Sequence, residues 1–238
     1  MKTIIPLVAT ILMVQIVYPY LSWELDIDFL QTKQHLIHLG YNRIAFYIHI
    51  FSSIPVLFFG AFLFSDRIQK RFSKIHRIVG KGYVGLVLGL SAPSGMVLAF
   101  HANGGWSVQL SFLVATPLWW YLTWRGLRTA MNQNFVAHRK WMMRSYALTF
   151  SAITLRASQV FLSSVNWVSP EYQYLIVSWE SWMLNLFLVE IYLRSSFFKK
   201  SKLPKLEMSF YKEKKITCYT GYSILNLEST PINKNQSI

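Results

Sequence analysis

Residues 76–101 read HRIVGKGYVGLVLGLSAPSGMVLAFH, a run with a histidine at each end whose only charges are Arg77 and Lys81, both in its first turns. As a helix rising about 1.5 Å per residue, it holds its two histidines roughly 37 Å apart. The hydrocarbon core of a bilayer is about 30 Å thick. His76 and His101 are therefore expected near opposite faces of a membrane, too far apart to serve one site. Gly85 and Gly89 recur on one side of this helix, with Pro93 a turn further on. Small residues at that spacing admit a second helix or a flat ligand, and helix packing is the commoner use.

The rest of the chain repeats the pattern. Of its 238 residues, 53% are hydrophobic, 16% aromatic and only 14% charged. Soluble domains carry about 25% charged residues, so an integral membrane protein is expected: an all-α polytopic transmembrane bundle of about six helices with a disordered basic C-terminal tail. A formal net charge of +14 would suit a nucleic-acid binder. Here the basic residues lie between the apolar runs and after the last one, as in cytoplasmic loops, which argues against nucleic acid as a partner. The single cysteine, Cys218, lies in the polar tail, so one chain can form neither a disulfide nor a cysteine-rich metal site.

In chain order, residues 4–21 form a first apolar run behind Lys2. No small-x-small cleavage site follows it, so a retained, signal-anchor-like first span is expected. A polar outer loop to residue 43 holds His35 and His38, read as solvated. The membrane core is expected over 44–194, with spans at 44–64, 76–101, 108–124, 141–162 and 172–193. From 195 to 238 the chain is Lys-rich and without period, and reads as a disordered cytoplasmic tail. Asn235 matches a glycosylation acceptor, on the wrong side of the membrane for use.

The segments after spans two, four and six are basic, with Arg125, Arg128, Arg139, Lys140 and Arg144 in one of them. Those after spans one, three and five are poor in basic residues and hold Glu24, Asp26, Asp28 and Glu171. The positive-inside rule then places the protein in the cell membrane, multi-pass, with both termini cytoplasmic. Trp106, Trp141 and Trp167 near the predicted boundaries suit interfacial anchoring.

This threading assigns depth. His49 and His101 fall toward the outer side, His76 and His138 toward the inner side. A b-type haem within a bundle takes two axial imidazoles from facing helices, and copper or zinc also favours imidazole. His49, His101, His76 and His138 are thus the candidate ligands for haem b or a metal ion. For His76 and His138 the plainer alternative is headgroup contact or capping at a charged border. For His49 it is a neutral ring bonded to a backbone carbonyl. Arg156 and Glu180 lie at similar depth in spans five and six, where an unpaired charge is costly, so either a buried ion pair joins them or Arg156 holds an anionic group, such as a haem propionate, near His49 and His101. Asn185 would add an interhelical hydrogen bond. Glu190 and Lys81 approach the inner side, where Glu190 has Arg144 as a further partner.

No nucleophile elbow, phosphate loop, HExxH or paired-carboxylate signature is present, and the residues name no reaction. Nor are there duplicated halves with broken helices, as in many transporters.

The elements IHRIVGKGYVGLVLGLSAPSGMVLAFHANGG and AHRKWMMRSYALTFSAITLR together resemble the bacterial membrane-protein family called domain of unknown function 2306. The resemblance covers roughly residues 44–194, leaving the first span and the lysine tail outside it. It implies a multi-pass membrane protein with no assigned activity, with histidine typical at the positions of His49, His76, His101 and His138. The paired layout is loosely similar to that of the di-haem ascorbate-reducing transmembrane cytochromes, an analogy of arrangement only. Two functions follow as expectations. One is a six-helix protein binding haem or a metal ion through histidine pairs, for electron transfer or respiratory-complex assembly. The other is a cofactor-free structural or assembly protein, and a small-solute carrier is a weaker third. The lipid bilayer is the expected partner. A membrane-protein partner or a homo-oligomer is compatible with the sequence.

Overall fold

A computed structural model describes residue 18 and residues 40–64, 66–165 and 168–195. The first expected span, His35, His38, Trp167, Cys218, Asn235 and the tail from 196 lie outside the described residues. The chain divides into two compact units, Met1–Ile191 and Tyr192–Ile238. Of the second, only residues 192–195 at the end of the last helix are described.

Among the described residues, five long helices and one short helix make up the structure. They are α1 (Gly40–Leu63), the short α2 (Asp66–Arg71), α3 (Ser73–Ala99), α4 (Trp106–Met131), α5 (Phe135–Val165) and α6 (Pro170–Arg194). Gly40–Leu63, Ser73–Ala99 and Tyr172–Arg194 are long and apolar enough to cross a membrane. The two largest boundary differences from the spans read in the sequence fall at the α4–α5 connection. α4 runs to Met131 rather than ending near Trp124, and α5 starts at Phe135 rather than Trp141. Hydropathy falls where arginine begins, but arginine, lysine and alanine are good helix formers, so the backbone stays helical beyond the apolar zone.

Side-chain contacts give the register. Along α1 and α3, Tyr41 meets His101, His49 meets Ser91, Phe59 meets Gly82 and Leu63 lies nearest Gly80. One number falls as the other rises, so the two helices are antiparallel. α4 and α5 are antiparallel by the same test, with Trp119 on Thr149 and Thr123 on Ser145. α6 runs with α4, through Trp179 on Ser107 and Trp182 on Ser111. The connections at 64–73 and 131–135 therefore lie at one end of the bundle. That end carries Lys74, Arg77, Arg125, Arg128, Arg139 and Lys140.

The burial pattern suits a lipid solvent. Ser52, Ser91, Ser94, Ser111, Thr123, Ser145, Thr149, Ser178 and Ser181 are buried. Phe187 at 63%, Leu188 at 53% and Phe58 at 48% exposure point outward. Lipid offers no hydrophobic drive to bring helices together, so small hydroxyl residues that allow close approach line the contacts, as the seams here do. The apolar part of the core is a cluster around Val56, Tyr83, Val87, Trp119, Leu122, Met142 and Leu148.

Candidate functional site

α3 is not regular throughout. Residues Val87–Ser91 form a π-helical turn, with the Ala92 N–H bonded to the Val87 carbonyl. Pro93 follows, and a proline has no N–H to give the carbonyl four residues before it. Carbonyls loosened here are met by side chains, as membrane-embedded backbone requires. Trp120 Nε1 donates to Leu88 O at 3.2 Å, Ser94 Oγ to Leu90 O at 2.6 Å, and His49 Nδ1 lies 2.8 Å from Ser91 O. Ser91 Oγ in turn donates to Ser52 Oγ at 2.7 Å. Single π turns in α-helices are frequent at functional positions. His49 fits closely here: a Cβ on Gly95 would stand 3.0 Å from its Cε1 and 3.1 Å from its Nδ1.

His101 lies just past the end of α3. Its Nδ1 is 3.1 Å from Val97 O and its Nε2 3.4 Å from the Tyr41 hydroxyl, with the two rings edge to face. His49 packs at the level of Ser91 and Gly95, whereas His101 is six residues or more further along, roughly 9 Å or more of helix rise. Two imidazoles on one metal stand about 4 Å apart, nitrogen to nitrogen, at the usual 2.0–2.1 Å metal–nitrogen bond. The structure thus places His49 and His101 in separate surroundings and does not bring them together.

The inner histidines are arranged differently. At the bundle centre, the Tyr83 hydroxyl lies 2.9 Å from both Ser145 Oγ and Thr149 Oγ1. Thr123 Oγ1 is 2.7 Å from Ser145 Oγ, and Trp119 Nε1 donates to Thr149 Oγ1 at 3.1 Å. His76 precedes Tyr83, and His138 precedes Ser145, by the same two helical turns. On helices running in the same direction, the two histidines leave matching faces, about 10 Å nearer the basic end. They are within electrostatic reach of each other, and Arg139 acts on His76 as well. His138 Nδ1 lies 2.8 Å from the Gly126 carbonyl, while His76 Nδ1 is buried with no hydrogen-bond partner among the described residues. Arg139 donates from Nη1 to Gln69 Oε1 at 2.8 Å, and its Nε is buried with no partner among the described residues.

Of the two ion pairs the sequence offered, the one formed among the described residues is Arg144 with Glu190. Arg144 holds Glu190 from Nε and Nη2. Arg156 lies 3.4 Å from Gln159 Oε1 and acts on Tyr174, and Glu180 Oε2 is buried with no hydrogen-bond partner among the described residues. The structure forms no ion pair between Arg156 and Glu180 among the described residues. Similar depth on two helices does not settle which way a residue points. Thr154 faces Asn185 of α6 at 3.1 Å, and a residue two further on is turned by about 200°. Asn185 also donates to Ala147 O at 3.2 Å, the interhelical bond its position suggested.

Gly85 and Gly89 are exposed, and no described atom lies within 4 Å of a Cβ added at either. The close approaches fall instead at Gly60, against Tyr146 and Tyr83, at Gly95 against His49, and at Gly126 against Met142. What the sequence reading missed is the Tyr83–Ser145–Thr149–Thr123 hydroxyl centre and the π turn. Pro93 was the available signal for the latter. Among the described residues, no cluster of three or more His, Cys, Asp or Glu is placed to hold a metal ion.

Compared with known proteins, residues 46–193 match the family described as predicted membrane protein (DUF2306). No curated protein and no solved structure matches the chain.

Proposed function

The chain belongs to the DUF2306 family of predicted membrane proteins, and from that premise we propose that His76 and His138 form a binding site for a redox-active group at the basic end of the bundle. The observation that carries this reading is their placement. They leave matching faces of two parallel helices, two turns beyond the Tyr83–Ser145 contact at 2.9 Å. His138 has its Nδ1 committed to a backbone carbonyl, which fixes the tautomer and leaves Nε2 as a lone-pair donor, the usual condition of a ligating histidine. His76 offers a buried ring nitrogen with no partner among the described residues.

Two imidazoles suit haem b best, because the porphyrin supplies the other four ligands. A bare transition-metal ion needs three or four protein ligands in most sites. When bound, the group would supply one-electron chemistry. The chain's own residues orient the imidazoles and keep the site between helices, and the guanidinium of Arg139 would favour an anionic substituent. The role that follows is electron transfer within the membrane or assembly of a respiratory complex. The crowding of arginine and lysine at this end supports a cytoplasmic face there, with both termini on that side.

A second reading has its own support. His49, His101 and His138 each meet a backbone carbonyl of the bundle, as a structural histidine would in a cofactor-free assembly protein. Optical and elemental analysis of the full chain purified in mild detergent separates the two. The cofactor reading expects a Soret band or near-stoichiometric metal, lost in His76→Ala and His138→Ala and kept in His101→Ala. A colourless, metal-free protein would establish the second reading.

A further inference from the structure

The aromatic and basic side chains at the inner end of α4 form a stripe that the proposed cofactor site does not use. Tyr121, Trp124, Arg125 and Arg128 recur at intervals of three and four, so they share one helix face. The Arg125 guanidinium lies 5.0 Å over the Trp141 ring and 6.0 Å over Tyr121, and that of Arg128 lies 5.9 Å over Trp124. Trp141 is shared with Arg144, at 4.9 Å. Arg144 is neutralised by both oxygens of Glu190. Arg125 and Arg128 have no carboxylate partner among the described residues, and no acidic residue occurs anywhere from 125 to 144.

We propose that Arg125 and Arg128 hold the phosphate of an anionic phospholipid, whose glycerol and upper acyl chains lie along Tyr121, Trp120 and Trp124. Charge complementarity chooses the occupant: two guanidinium groups lie over aromatic rings, and no carboxylate among the described residues pairs with them. A guanidinium stacked on an aromatic ring keeps its N–H fork free for phosphate oxygens. Position supports the same occupant. α4 reaches the basic end at Met131, so residues 120–124 lie deeper in the membrane than 125–128. Trp120 and Tyr121 are 40% and 42% exposed, which leaves apolar ring surface beside the charged pair at headgroup depth. Basic pockets on membrane helices near the cytoplasmic face bind anionic headgroups in this way.

The test is native mass spectrometry of the full-length protein in neutral detergent, with phosphatidylglycerol or phosphatidylcholine added at equal concentration. Phosphatidylglycerol should be retained preferentially. A basic residue near an anionic surface is worth about a factor of five in affinity. R125A/R128A should therefore weaken phosphatidylglycerol binding roughly 25-fold and leave phosphatidylcholine binding unchanged. If that variant does not fold, competition on the wild-type chain decides alone. Millimolar inorganic phosphate should fail to displace the lipid. Equal retention of the two lipids, displacement by free phosphate, or undiminished phosphatidylglycerol binding by a folded R125A/R128A would each overturn the proposal.

Discussion

Two glycine substitutions of the same kind should have opposite effects, because the two glycines have opposite surroundings. A Cβ at Gly60 would run into the Tyr146 ring edge and stand 3.1 Å from Tyr83 Cε2. Neither ring can step aside cheaply. Tyr146 donates to Leu57 O at 3.3 Å, and the Tyr83 hydroxyl is fixed by Ser145 and Thr149 at 2.9 Å each. Over-packing of this sort costs about 1–3 kcal/mol, and the helix-propensity gain of alanine over glycine, about 0.8–1.0 kcal/mol, offsets only part of it. At Gly85 no described atom lies within 4 Å of the added methyl, so only the propensity gain remains. Gly60→Ala should be destabilised relative to Gly85→Ala by about 1–3 kcal/mol, the propensity term cancelling between them. The assay is unfolding of purified protein in mixed micelles with rising SDS, followed by circular dichroism. If Gly60→Ala proves as stable as Gly85→Ala, the packing of α1 against α3 and α5 is wrong. If Gly85→Ala is the more damaging change, another helix covers the outward face of α3.

Other expectations concern polar contacts inside the bundle. Replacing either Arg144 or Glu190 by a neutral isostere should destabilise by roughly 1–3 kcal/mol, discounted from a fully buried pair because the side chains are 21% and 34% exposed. Replacing both should cost less than the worse single change, and an additive double-mutant cycle would contradict the pair. Tyr83→Phe should cost about 1 kcal/mol, the scale of membrane hydrogen bonds. Its effect should be sub-additive with Ser145→Ala, which removes the same contact, in SDS titration. Gly95→Ala should displace the His49 ring and lower thermal stability, whereas Gly89→Ala, exposed on the same helix, should not. Unchanged melting of Gly95→Ala would remove His49 from the α1–α3 seam.

Much of the fold was legible because lipid makes the pattern coarse. Apolar runs of about twenty residues mark helices with little ambiguity, and the family resemblance rested on two charged-aromatic elements that the comparison also covers, 46–193. The side-chain register shows α1 antiparallel to α3, α4 antiparallel to α5, and α6 running with α4, and three of these helices are long and apolar enough to cross a membrane. Azimuth was not legible. Depth put Arg156 level with Glu180, but the turn of the helix sends Arg156 toward Gln159 and Tyr174. The same gap hid which glycines are crowded: Gly85 and Gly89 carry the recognisable spacing and face outward, while Gly60 and Gly126 carry the contacts. Of the interior pairs, Arg144 with Glu190 was legible in the sequence, because both lie near the basic end and one acid there had few partners. The hydroxyl centre was not, since serine and threonine in an apolar run are too common to single out.

The account stands on His76 and His138 sharing one place at the basic end of the bundle. In a Cys218→Ser background, His76→Cys with His138→Cys should be joined within the chain by a short bismaleimide in native membranes, seen as a mobility shift. His76→Cys with His101→Cys, at opposite ends of α3, should give none. Absence of the first cross-link, or equal yield from the two pairs, would contradict the shared site.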